Sequence, residues 1–164
     1  MSRGFVKEDD QEEAPMIPPR AALPEGEINY VTPNGLKELK EEEEELTEER
    51  ANLDKENDTE RRRAQAEIDG NLKLLRERIN TARILHPKDQ PEDEVRFGAL
   101  VEFKQNGKIQ KFQIVGVDEA DVKKQKIAFV APIAKAVTGK KVGDKIDFKL
   151  GEETRKLEIL KITY

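Results

Sequence analysis

Between Thr32 and Leu85, apolar residues recur at helical spacing inside two strongly charged segments. Ile68, Leu72, Leu75, Ile79 and Ala82 alternate steps of four and three, which lays one apolar stripe along a helix. Leu39, Leu46 and Leu53 repeat every seven residues, preceded by Leu36. Glu43 and Arg50 take the seam positions between them, so the first arm has less to bury than the second. Thr32-Pro33 is a start signal, because Thr caps free N–H groups and Pro at the first helical position has no N–H to lose. Asn57-Asp58-Thr59 is the expected point of reversal. The pattern predicts an antiparallel helical hairpin over residues 30–85, each arm about 25 residues or roughly 38 Å long.

From Val95 onward the period shortens to that of strands. Leu100 to Phe103 leads through Asn106-Gly107 to Phe112–Val115, a hairpin signal. Lys126–Val130 reads as a third strand. Ile146, Phe148 and Leu150 alternate with charges, as do Leu157 and Ile159 beyond Gly151. Pro132 to Val137 predicts a short helix stopped by Gly139. The fold class is α+β: a helical hairpin, then an antiparallel β domain with one short helix over residues 95–164. Pro87 and Pro91 mark residues 86–94 as a linker. Residues 1–29 hold four of the eight prolines and the acids Glu8, Asp9, Asp10, Glu12 and Glu13. With few large apolar residues, this stretch is expected to be a mobile acidic tail.

Charge changes the picture of the hairpin. Nineteen of the 27 residues from Lys37 to Arg63 are charged, so its far half is expected to project into water. The run Glu41–Glu45 fits a solvated helix face. Gly70 interrupts the second arm at a cost of about 1 kcal/mol against Ala, with no reason visible in the sequence. Net charge is −5 and no basic stripe carries interleaved aromatics, which argues against sequence-specific DNA binding. The absence of cysteine excludes disulfides and thiolate metal sites and fits a reducing compartment. No apolar run approaches the ~20 residues of a membrane span, so the expected location is the cytoplasm.

The inventory for catalysis is poor. His86 is the single histidine and stands before a proline. No Gly-rich phosphate loop follows a strand, and no Ser/His/Asp set is present. Asp118, Glu119 and Asp121 cluster after Gly116, a pattern usual for a solvated turn. The chain is therefore expected not to be an enzyme in its own right.

Several segments, taken in order, resemble one family. They are Val95-Arg96-Phe97-Gly98-Ala99, Ile114-Val115-Gly116 with Asp118-Glu119-Ala120-Asp121, Pro132-Ile133-Ala134 with Gly139-Lys140, and the closing Leu157 to Tyr164. This set resembles the C-terminal domain of the bacterial transcript-cleavage factors, the GreA/GreB family. Thr32-Pro33-Asn34-Gly35-Leu36 and Asn80-Thr81-Ala82-Arg83-Ile84 resemble the two ends of its coiled coil. The resemblance covers about Tyr30 to Tyr164 and leaves out the opening segment.

The resemblance implies an FKBP-like C-terminal domain docked on RNA polymerase, with the hairpin in the secondary channel. The partners would be the polymerase and, through it, backtracked RNA. Tip acids would help hold a Mg²⁺ shared in the polymerase active site, with no metal held stably by the factor alone. Asp54, Glu56 and Asp58 are the candidates here, although the family's Gly-Asp-Leu-x-Glu-Asn-Ala-Glu-Tyr tip motif is missing. Asp118, Glu119, Asp121, Pro132 and Ile133 are the candidate docking residues. Val130-Ala131 stand where relatives commonly carry a polar pair. The hairpin also looks about two heptads shorter than the family's, a loss of reach of roughly 10 Å. Two other readings stay open: a non-cleaving regulator that occupies the channel, and a helical interaction module unrelated to polymerase.

Overall fold

A computed structural model of the chain describes residues 14–164. The short strand β1 (Tyr30–Val31) leads into helix α1 (Pro33–Ala51), which is followed by α2 (Asp58–Thr81) and strand β2 (Arg83–Ile84). β1 and β2 pair in parallel, so both ends of the hairpin are tied side by side. Thr32 caps α1 by accepting the Gly35 N–H at 2.9 Å, with Pro33 next to it. Asn57 caps α2 by accepting the Glu60 N–H at 3.2 Å. That role moves the reversal. Residues 52–57 make the turn, and Asp58-Thr59 are already helical rather than part of it. The arms are unequal, with 19 and 24 residues.

The seam of the second arm is the stronger one, as its spacing predicts. Ile68, Leu72 and Leu75 are buried, whereas α1 buries only Gly35 and Leu39. Where α1 lacks apolar seam residues, ion pairs cross between the arms. Arg76 Nε donates to Glu43 at 3.1 Å, and Arg50 Nε to Asp69 at 2.7 Å. Both pairs are exposed at these donors or acceptors, so they orient the arms more than they stabilise them.

The second unit is built on β3 (Leu100–Gln105), β4 (Lys108–Val115), β5 (Lys126–Ala128), α3 (Pro132–Val137), β6 (Lys145–Leu150) and β7 (Glu153–Thr163). The sheet order is β5-β4-β3-β7-β6. Asn106 and Gly107 take positive φ angles of 51° and 77°, the geometry of the tight turn expected between β3 and β4. The sheet is mixed rather than wholly antiparallel, because β5 runs parallel to β4. The segment after β4 doubles back through a 3₁₀ turn at Val122–Lys124, which starts β5 in the same direction as β4. Val101, Phe103, Phe112, Ile114, Leu157 and Ile159 form the core with Ala134 and Val137 of α3. Alternation along β3, β4 and β7 puts these side chains on one face.

Residues 14–29 of the expected tail make contacts with the rest of the chain. The acidic cluster of that tail, Glu8 to Glu13, lies outside the described residues. The following stretch runs along the hairpin and its base, because it carries three side chains with partners there. Ile17 packs at Gly70. Arg20 reaches both Glu42 and Asp118. Asn29 is buried and donates to the Arg78 carbonyl at 2.9 Å and to Thr81 Oγ1 at 3.2 Å.

Candidate functional site: hairpin tip and base

At the tip, all three expected acids are exposed. Asp54 Oδ1 accepts the Glu56 N–H at 2.9 Å and so shapes the turn. Asp58 pairs with Arg61 at 3.1 Å across one helical turn. The Glu56 carboxylate is left as the acid least committed to the turn. Carboxylate oxygens are hard donors of the type that Mg²⁺ takes. Among the described residues, however, no three His, Cys, Asp or Glu side chains converge as a metal site.

The acids expected to dock a partner lie instead at the base of the hairpin. The Glu119 side chain is only 3% exposed. It accepts from Thr32 Oγ1, from Asn34 Nδ2 at 3.1 Å and from Lys126 Nζ at 3.3 Å. It thus joins the start of α1 to the strand β5. The Asp118 side chain, 6% exposed, receives Arg20 Nε at 2.9 Å and Arg78 Nη1 at 3.2 Å. Both candidate docking carboxylates are thus buried and engaged by partners within the chain. A buried carboxylate needs such partners to remain charged. Asp121 accepts the Lys123 N–H at 3.0 Å and caps the 3₁₀ turn. Of the remaining two, Pro132 is exposed at the start of α3, while Ile133 is half-buried against the core.

Apolar and backbone contacts complete the base. Tyr30, Phe97 and Phe129 form a triangle with ring centroids 5.6–6.0 Å apart. Gly116 lies under the backbone of β1, where an added Cβ would stand 2.5 Å from the Tyr30 carbonyl oxygen. Only a residue without a side chain allows so close an approach. His86 is exposed, in an open depression beside Pro87 and Tyr164.

Arg20 and Arg78 are the base residues that sequence reasoning missed. Arg20 spans two carboxylates, with Nη1 and Nη2 on Glu42 at 2.8 and 3.0 Å. Hydrogen bonding to Glu42 holds its guanidinium still more firmly protonated than usual, against the opposing effect of burial. One signal was available: Arg20 is the single basic residue between Lys7 and Lys37.

Residues 90–164 match the family described as transcription elongation factor, GreA/GreB, C-terminal. The transcription elongation factor GreA of Acidiphilium cryptum is 37% identical over 105 residues, which cover 63% of this chain and 67% of the relative. GreB of Neisseria meningitidis serogroup B is 31% identical over 105 residues, covering 63% and 64% respectively. The chain thus spans about two thirds of the length of these relatives. Among solved structures, GreA factor homolog 1 of Thermus thermophilus is 22% identical with a TM-score of 0.40, covering 84% of this chain and all of that one. By its matched domain and its curated relatives, the chain belongs to the GreA/GreB family of transcription elongation factors.

Proposed function

We propose that this chain binds RNA polymerase and carries its hairpin tip to the polymerase active site, where it stimulates the polymerase's own cleavage of backtracked RNA. The observation that carries the reading is the contrast between acids within a family member: those at the base are buried and engaged across the fold, whereas those at the tip are exposed, with Asp54 and Asp58 making only local contacts and Glu56 the least engaged. The second arm holds the tip roughly 36 Å from its own C-terminus at 1.5 Å per residue. In this role the β domain is the docking body, with Pro132 on the exposed rim. Glu56 is the acid best placed to act, with Asp54 and Asp58 shaping the turn around it. A second Mg²⁺ at the polymerase would supply an activated water and charge stabilisation. The work of this chain is to present carboxylate oxygen and to exclude bulk solvent from the channel. It acts as an accessory factor, and the chemistry belongs to the polymerase.

The test is RNA cleavage in purified backtracked complexes with Mg²⁺ and polymerase from the same organism. Faster cleavage is expected with the unaltered chain. Replacing Asp54, Glu56 and Asp58 with Asn, Gln and Asn should remove the stimulation and leave co-elution with polymerase intact. Stimulation that survives the triple replacement would refute the role of the tip. Co-elution without any stimulation by the unaltered chain would instead indicate a regulator that occupies the channel.

A further inference from the structure

We propose that residues 17–29 form a strap that sets the angle of the hairpin on the β domain, with Arg20 as the positioning residue. The role rests on the reading above, in which the tip must reach a target. The strap itself lies outside the matched family region, residues 90–164.

Without the strap, the contacts between hairpin and domain are gathered at one end. Glu119 holds the start of α1, Arg78 links the end of α2 to Asp118, and the aromatic triangle sits beside β1. A rod held only at its foot can pivot. The strap grips it farther up. Arg20 connects Asp118 of the domain to Glu42, ten residues beyond Thr32, or about 15 Å along α1. Ile17 lies at Gly70, eleven residues before Thr81, or about 16 Å up α2. Ile17 therefore holds α2 at a distance from the foot, where a contact has leverage against rotation, while Arg20 ties α1 to the domain by joining Glu42 to Asp118.

The fit of the strap accounts for a residue that is otherwise out of place. Glycine is disfavoured within a helix. At position 70 an added Cβ would stand 2.6 Å from both Cδ1 and Cγ1 of Ile17. The missing side chain leaves the slot that Ile17 fills. Farther along, Arg78 Nη2 donates to the Ala21 carbonyl, so the arginine that holds Asp118 also holds the strap. The Arg20 side chain is 19% exposed, and its planar fork meets Glu42 with two bonds while Nε meets Asp118. A lysine cannot reproduce that geometry.

The chain contains no cysteine, so spin labels can be placed without other changes. Lys55→Cys at the tip and Lys111→Cys on the sheet report the tip-to-domain distance by double electron–electron resonance. A narrow distribution is expected with the strap intact. Arg20→Ala and Gly70→Ala should broaden or displace it, with far-UV circular dichroism unchanged. If either variant does not fold, Ile17→Ala is read by the same criterion. A distribution that stays the same in the folded strap variants would overturn the proposal. The measurement needs no polymerase. A strap that controls the distance in a chain that never stimulates cleavage would stand while the proposed function fell. Where cleavage is stimulated, Arg20→Ala should raise the concentration needed for half-maximal effect more than it lowers the rate at saturation. Arg20→Lys should not restore it.

Discussion

The tip and the base of the hairpin each carry a small group of acids, and the two groups have opposite fates. At the tip, Asp54, Glu56 and Asp58 face water. At the base, Asp118 and Glu119 are enclosed and saturated with donors from α1, α2, β5 and residues 14–29. In the sequence the groups look alike. What separates them is whether distant parts of the chain arrive to pair with them. An acid that the fold has already used is a poor candidate for contact with a partner, whereas an acid without a structural duty is available for one.

The sharpest way to break this contrast is to remove a base acid. Glu119→Ala leaves the buried Thr32 hydroxyl and the half-buried Lys126 without this acceptor, and should lower the unfolding free energy by about 3 kcal/mol, read from urea denaturation. A loss as small as that of a surface substitution would place the base acids with the tip acids. Gly116→Ala attacks the same junction through its backbone. The added methyl would meet the Tyr30 carbonyl oxygen at 2.5 Å, with an expected loss of about 2 kcal/mol by thermal melting.

Tyr164→Phe tests the far side of the β domain. The Tyr164 hydroxyl donates to the Glu94 carbonyl and accepts from the Arg96 N–H at 2.7 Å. Loss of this link should cost about 1 kcal/mol. Burial raises the hydroxyl above its ordinary value of 10.0. The neutral form is therefore favoured in the folded chain, and its contribution is present below pH 10 and lost as pH rises through the raised value. The alkaline fall in urea midpoint should be shallower in the Phe variant. The smallest stability effect is expected at the tip. The triple replacement of Asp54, Glu56 and Asp58 should stay within about 0.5 kcal/mol of the parent, while the cleavage assay loses its signal. A large loss of stability there would mean that the fold depends on the local contacts of the tip acids as it does on those of the base acids.

The parts of the fold that could be read from sequence are those set by local rules. The four-three spacing of Ile68, Leu72 and Leu75 describes a buried stripe, and Thr32-Pro33 caps a helix, because both depend on residues within two turns. Asn106-Gly107 specifies its turn for the same reason. The parts that could not be read depend on remote partners. Asp118 meets Arg20 across 98 positions, and Thr32 meets Glu119 across 87. Composition could suggest that residues 1–29 lack a core of their own, but not that another surface offers Ile17 a slot. The parallel placement of β5 likewise depends on how the chain doubles back, not on the pattern within Lys126–Ala128. At the candidate site, exposure of the tip acids followed from the charge of the arms, while the duties of the base acids were hidden.

The parallel tie between β1 and β2 makes the hairpin a cassette. Because its two ends are fastened next to each other, residues can be removed in matched heptads without moving the points of attachment. Each such deletion would retract the tip by about 10 Å while preserving the seam register. Length then becomes a separate variable from docking. A lineage, or an engineer, can adjust the depth of the probe while keeping the same handle.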